Sequence, residues 1–524
     1  LTFKLNFAAD RLNVAGYHLV NVAIHILAGL ALFGLVRRSF ARPDKRVSWL
    51  AFAVASLWAL HPLQTESVTY ICQRYEALMA LFYLLTLYCF ARGVRSAHPR
   101  PWLGLSILAC LIGMGAKAVM VTAPVAVLLF DYVIVARGSV RSMVRKRGCY
   151  YVALFLTWGV LAVLVTRMAL AAERLGIETV APVSPWRYLG SQFGVILTYL
   201  RLAVVPWPLC LDRVRDLAQG WAAIVLPGAV VVSLGLLSAW GWLRCRVSGL
   251  LGVLFFLFLA PTSSILPVAD LAVEHRMYLP LAPLVCLLVL AYARSRRLLP
   301  GQVRPTTGVR VDGLILAAVM TVLLLGTLRR NEVYGSAERM LRDVVVKAPH
   351  NYRQHLALAH ALLEDGECAS SLEEARRLAG KTAKAKRGTA SRDFAIAARN
   401  PWRYHALAYS AVGRAYLCLG RQEAAIAAFE EALRIDPRYR VGRYNLAAAL
   451  YAAGRKDEAL GVCRTVMRRF PDYASGYELA ATILAERGEV RRPIAHLEHA
   501  LDHRPLSLSI RTALAWLLAT APKA

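Results

Sequence analysis

Apolar residues gather into runs of bilayer-crossing length as far as Leu328, and no such run follows. A helix needs about 20 apolar residues to cross a hydrocarbon core of about 30 Å. Runs near that length occupy residues 16–36, 47–63, 78–92, 102–119, 119–135, 150–168, 221–243, 250–268, 278–293 and 314–328. They predict an all-α, polytopic transmembrane bundle over residues 1–328. A further apolar stretch, residues 188–205, follows Arg187, contains Gln192 and Arg201, and ends at Pro206-Trp207-Pro208. An even number of crossings must separate the basic residues at Arg147 from those at Arg244, so this stretch is expected to be interfacial or re-entrant.

Residues 329–524 follow a different rule. Pro437, Pro471 and Pro505 lie 34 residues apart, as do Gly420, Gly454 and Gly488, and this is the tetratricopeptide period. Each period is expected to fold as a helix pair. Gly413, Tyr416, Ala425, Phe429 and Ala432 occupy the small and large packing positions of the first unit, and Leu446, Leu450 and Ala459 those of the second. Each glycine ends a helix A through a left-handed conformation, and each proline blocks continuation of a helix B. Upstream, residues 336–349 read as a helix B, residues 351–366 with 371–380 as a degenerate pair, and the basic residues 381–392 as an insertion or loop. The result is an α-solenoid whose concave surface suits a peptide or protein partner.

Composition adds a constraint: 57% hydrophobic content excludes a single soluble domain. A net charge of +30 would suggest nucleic acid in a soluble protein, because clustered cations neutralise phosphates. Here the clusters sit in short loops between apolar runs: Arg37, Arg38, Arg42, Lys45 and Arg46; Arg92, Arg95 and Arg100; Arg137, Arg141, Arg145, Lys146 and Arg147; Arg244 and Arg246; Arg294, Arg296, Arg297, Arg304 and Arg310. Such loops stay cytoplasmic, so membrane lipid is the expected partner and nucleic acid is not. The ten cysteines, Cys418 among them, form no C-x-x-C pair and show no zinc-ligand spacing; they read as small hydrophobes. The chain begins with Leu1 directly before a helix signal, and upstream sequence is expected.

Holding the basic loops inside places residues 1–15, 61–76, the turn at Lys117, residues 171–187 and 269–277, and everything after Arg329 on the other face. That face collects His61, Glu66, Arg74, Glu76, Lys117, Asp212, Arg213, Asp216, Asp270, Glu274, His275, Arg276 and Tyr278. Ionisable groups at membrane depth are expensive, so they are candidates for function.

Three segments carry a resemblance: Gly16-Tyr17-His18-Leu19-Val20-Asn21 through His25; His61-Pro62-Leu63-Gln64-Thr65-Glu66-Ser67-Val68 with Arg74 and Glu76; and Pro261-Thr262-Ser263-Ser264 followed by Glu274-His275-Arg276-Met277-Tyr278-Leu279-Pro280. With the 34-residue repeats, the chain resembles the transmembrane and tetratricopeptide repeat-containing O-mannosyltransferases of the GT-C superfamily and their bacterial relatives. The resemblance implies transfer of a sugar, a hexose such as mannose, from a polyprenyl-phosphate donor to a protein on the outer face of a bacterial cytoplasmic membrane. Fixed cations such as Arg74, Lys117, Arg213 or Arg276 suit a lipid-linked phosphate. Glu66, Asp212 or Glu274 suits a general base, with Glu66 the expected catalytic group. Relatives usually begin with another helix and an outer loop bearing adjacent aspartates, and Asp10 stands too close to the next helix to be matched to them. They also read Ser-Lys-Glu where this chain has Ala116-Lys117-Ala118, which removes an expected acidic partner.

Plainer readings stand beside these. His18, Asn21 and His25 share one helix face and suit interhelical hydrogen bonding. Glu66, Arg74 and Glu76 suit a helix-end ion pair, and Lys117 suits snorkelling to the interface. Trp49, Trp58, Trp102 and Trp186 suit interface anchoring. The competing function is a non-catalytic membrane scaffold whose repeats assemble an envelope complex.

Overall fold

The computed structural model describes residues 2–11, 13–40, 44–174, 184–213, 217–218, 220–268, 270–296, 308–384, 401–470 and 473–487, with isolated positions beyond. Asp216, Pro471, Gly488 and Pro505 lie outside the described residues. Two compact units divide the chain, residues 1–336 and 337–524.

The first unit is built from α1 (Thr2–Asp10), α2 (Val14–Ser39), α3 (Lys45–Ala59), α4 (Thr65–Thr69), α5 (Arg74–Gly93), α6 (Pro99–Met114), α7 (Ala123–Phe130), α8 (Val140–Arg174), α9 (Pro185–Val204), α10 (Ala222–Leu243), α11 (Val247–Leu259), α12 (Leu281–Ser295) and α13 (Gly308–Val333). Among the described residues, six helical segments are long and apolar enough to cross a membrane, or seven if α3 and the helical residues after it count as one bent span. That span bends by 54° at the break before Pro62, where proline offers no N–H to continue the ladder.

Three expected spans are shorter than the apolar runs suggested: α6, α11 and α12 have 16, 13 and 15 residues. At about 1.5 Å per residue they fall short of a hydrocarbon core of about 30 Å. The run 250–268 illustrates the cause. Its helix stops at Leu259, ahead of Pro261, and residues 260–268 are irregular although apolar. Residues 265–268 of this irregular stretch are exposed, whereas residues 271–283 that follow it are buried throughout.

The stretch read as interfacial or re-entrant is α9. Tyr188 donates its hydroxyl to Thr262 O, Gln192 donates to Leu271 O, Tyr199 exchanges hydrogen bonds with Val273, and Ala203 O meets His61 Nε2. These hydrogen-bond partners of α9 come from loops at one end of the bundle, and α9 also packs on α10, where Ile224 meets Gly190 and Phe193 meets Gly228. The opposite end gathers the basic loops: Arg95 donates to the carbonyls of Ser39 and Phe40, and Cys245 packs against Gly138.

The second unit contains α14 (Ala337–Lys347), α15 (Tyr352–Glu364), α16 (Cys368–Lys384), α17 (Pro401–Cys418), α18 (Gln422–Ile435), α19 (Arg440–Ala452), α20 (Lys456–Arg469) and α21 (Ala474–Glu486). Gly420 and Gly454 adopt φ of +71° and +78° just after α17 and α19, as a left-handed helix end requires. Ala425, Phe429 and Ala432 are fully buried, and a Cβ on Gly413 would meet the Phe429 ring at 2.7 Å. Tyr416 is half-buried and hydrogen-bonds Arg376, and α18 ends two residues before Pro437. Two expectations are corrected. Lys381–Lys384 belongs to α16 and is not loop, since Lys381 donates to Pro349 O and Thr382 hydrogen-bonds His405.

Cys368 and Cys418, read as small hydrophobes, form a disulfide across 50 residues of sequence. Residue spacing could not reveal it, because packing of α16 on α17 brings the two together. Disulfides persist in oxidising compartments. Closing a loop of this length is worth about 2–4 kcal/mol. Cys368→Ser should therefore lower the denaturant midpoint of the repeat unit within the full chain, as read by limited proteolysis in a urea series. A midpoint unchanged from wild type under oxidising conditions would refute the contribution.

Candidate functional site

The helix ends and breaks of the first unit supply the candidate residues. Glu66 sits on α4, beyond the Pro62 break, and Arg74 and Glu76 open α5. Lys117 follows the end of α6, and Glu274, His275 and Arg276 form a short 3-10 turn before α12. Backbone leaving helical geometry here turns charged side chains away from lipid and toward one another.

Four of these residues form a continuous chain of contacts. His275 Nδ1 lies 2.6 Å from Glu66 Oε1, and the His275 backbone N–H donates to Glu66 Oε2 at 2.9 Å. His275 Nε2 lies 3.7 Å from Glu76 Oε1, which also receives the Lys117 ammonium. Glu66 and Glu76 are buried, whereas the Lys117 side chain keeps 19% exposure. Tyr75 places its ring 5.2 Å below the Lys117 ammonium. Burial first, and the nearby Arg276 charge second, pull Lys117 down to about 7 against the opposing effect of Glu66.

A second group adjoins the first. Glu274 Oε1 accepts from the Cys210 backbone N–H at 2.8 Å and meets Arg213 Nη2 at 3.5 Å, while Arg213 also donates to Pro208 O. Asp212 is buried beside them. Burial, reinforced by the Glu66 charge, raises Glu274 to about 7, opposed by the Cys210 hydrogen bond and by Arg330 and Arg213. Arg276 donates to the carbonyls of Thr262, Leu271 and Asp270, fixing the irregular segment before α12.

Other candidates stand apart. Arg74 does not pair with Glu66 or Glu76. Its Nε donates to Asn21 Oδ1 at 2.6 Å, its Nη2 to Tyr17 O at 3.0 Å and its Nη1 to Asn6, and its guanidinium lies over the Phe3 and Tyr17 rings. His61 caps the Leu63 N–H and contacts Ala203 O. Tyr278 hydrogen-bonds His25, and its carbonyl accepts from Trp58. Trp58, expected as an interface anchor, is fully buried instead. Asn21 donates to Val68 O, and His25 bridges Tyr278 and Ala59 O, which is the interhelical role read from their spacing. Lys117 neither snorkels nor lacks an acid: Glu76 from another helix replaces the neighbour missing from its own segment.

Two contributors escaped the sequence. Tyr75 lies between Arg74 and Glu76, and nothing in its local sequence marks it as a partner of Lys117. Arg330, on the last turns of α13, acts on Glu274, and its guanidinium lies 5.2 Å from the Tyr334 ring. The Arg329-Arg330 pair after an apolar run was a visible signal, but such pairs ordinarily mark only the membrane boundary.

The Glu274 shift has a measurable consequence. The folded state keeps this proton up to about 7, whereas an unfolded carboxyl releases it near 4.3. Its stabilising contribution is therefore full below the unfolded value and is lost as pH rises through about 7. Wild type should lose stability relative to Glu274→Gln between about pH 5 and 8, by on the order of 3 kcal/mol. Thermal melts of both proteins in detergent across that window check the sign; a difference independent of pH would refute it.

Comparison with known proteins agrees with both units. Residues 11–165 match the family model "Dolichyl-phosphate-mannose-protein mannosyltransferase", and residues 419–483 match "Tetratricopeptide repeat". A protein O-mannosyl-transferase of Caenorhabditis elegans is 24% identical over 382 residues, covering 70% of this chain and 50% of the relative. Protein O-mannosyl-transferase TMTC4 of Homo sapiens is 23% identical over 430 residues, covering 71% and 56%. The chain thus spans about half the length of these curated relatives. A shorter match, to mouse protein O-mannosyl-transferase TMTC2, is 36% identical over 104 residues, 20% of this chain and 12% of the relative. Among solved structures, a thermophilic TPR protein of Thermus thermophilus aligns with 40% of this chain and 98% of its own, with TM-score 0.28 and 18% identity. With a region similar to a mannosyltransferase family model, membrane-capable helices and tetratricopeptide repeats on one chain, this integral membrane protein is similar to the TMTC protein O-mannosyl-transferases.

Proposed function

We propose that the protein transfers mannose from a polyprenyl-phosphate carrier to a hydroxyl group of a protein on the non-cytoplasmic face of the membrane. The observation that carries this reading is the buried chain Lys117–Glu76–His275–Glu66, with Arg276 alongside, at the bundle end opposite the basic loops. A lipid-linked donor brings its phosphate to headgroup depth, where Lys117 and Arg276 supply positive charge. Lys117 spends one of three ammonium donors on Glu76. During transfer the C1–O bond to phosphate breaks and the acceptor oxygen bonds to C1. Glu66, which accepts one hydrogen bond on each oxygen, retains a lone pair to take the acceptor proton. The repeats hold the acceptor protein, and the disulfide within them supports an oxidising side such as the bacterial periplasm.

The decisive experiment incubates the full-length protein with polyprenyl-phosphate mannose and a serine- and threonine-containing acceptor protein. Transfer is expected, with a loss of at least about 10²-fold in Arg276→Ala if that charge stabilises the departing phosphate. Undiminished transfer by Arg276→Ala would remove it from the site. Absence of transfer by folded wild type would favour the scaffold reading. A reporter after Ala524 should score as external, and a cytoplasmic score would overturn the topology.

A further inference from the structure

The far half of the bundle is incompletely filled. A cavity of about 920 Å³ lies among α2, α3, α5, α11 and α12, near the top of the range of about 300–1,000 Å³ usual for ligand pockets. Its walls are nearly all aliphatic or aromatic, with Leu35, Val54, Leu87, Leu254, Phe258 and Leu290 representative. The charges and hydroxyls in the lining are confined to Ser39, Arg246, Ser248 and Arg294, all at the basic-loop end. None of Glu66, Glu76, Lys117 and His275 contributes to it, so it is separate from the proposed transfer site.

An apolar space of this kind does not hold ordered water, which needs two to four polar partners. An amphiphile fits both ends of it. Arg246 and Arg294 are exposed at the rim, with Arg246 stacked 4.7 Å over the Trp240 ring. Guanidinium groups match phosphate oxygens through paired N–H donors. Basic pockets between membrane helices on the cytoplasmic side are suited to anionic headgroups. We propose that this cavity binds an anionic diacyl phospholipid of the leaflet facing the basic loops, with acyl chains between α2, α11 and α12 and the phosphate against Arg246 and Arg294.

The test uses the full chain in nanodiscs containing phosphatidylglycerol and phosphatidylcholine in equal amounts, followed by native mass spectrometry of retained lipid. Two arginines near a lipid phosphate, at about 1 kcal/mol each, correspond to a preference of roughly thirtyfold for phosphatidylglycerol. Arg246→Gln combined with Arg294→Gln should remove the preference while some lipid remains bound. Leu290→Trp, which fills the cavity from within, should reduce retention of both lipids in protein that stays monodisperse. Equal retention of the two lipids by wild type, or an unchanged preference in the double variant, would overturn the proposal. Displacement of phosphatidylglycerol by an equimolar polyprenyl phosphate would overturn the diacyl assignment.

Discussion

Glu66→Gln is expected to reduce mannose transfer by about 10²–10⁴-fold, the usual contribution of a positioned general base, while the protein remains folded. The substitution keeps the side chain's size and one acceptor oxygen, so the His275 backbone N–H retains a partner. What it removes is the negative charge beside His275 and the capacity to accept a proton. Glu66→Ala makes a poorer test, because it leaves the His275 N–H and ring without the partners seen at 2.9 and 2.6 Å. A buried donor left unpaired costs about 1–3 kcal/mol, so lost activity there would mix chemistry with misfolding. Initial rates at saturating donor, normalised to monodisperse protein, separate the two. A Glu66→Gln enzyme within about threefold of wild type, far short of the loss a general base implies, would reassign the base, with Glu274 the next carboxylate in the same cluster.

The sequence disclosed the architecture more readily than the site, and the reason is the range over which each is encoded. Apolar runs and the 34-residue period are local patterns, and they led to the helical bundle and to the left-handed turns at Gly420 and Gly454. Helix termini inside apolar runs were harder to see, because α11 stops at Leu259 under the influence of Pro261 while hydropathy continues to Val268. The chain of contacts from Lys117 to Glu66 was legible as an inventory of residues and not as a pairing. Nothing local indicates that Glu66 meets His275, 209 positions away, or that Lys117 meets Glu76 from another helix. The same limit hid the disulfide and led to Arg74 being grouped with the carboxylates on either side of it.

Arg74→Ala should destabilise the bundle by several kcal/mol, because it leaves three acceptors without their donor at about 1–3 kcal/mol for each buried group, and should do so without a specific effect on donor binding. Its guanidinium is fully buried, and its three nitrogens engage Asn21, Asn6 and Tyr17 beside two aromatic rings. It therefore ties α1 and α2 to the start of α5, and Asn21 in turn donates to Val68 beside Glu66. Arg74→Lys should recover little stability, since a single ammonium cannot reproduce a planar fork that reaches three separate acceptors. Thermal melts in detergent should show both variants well below wild type, and protein that remains folded should keep the wild-type KM for the donor. A variant as stable as wild type but with KM raised about tenfold or more, equivalent to about 1.4 kcal/mol of lost binding, would identify Arg74 as a phosphate ligand, and the structural role assigned to it here would be wrong.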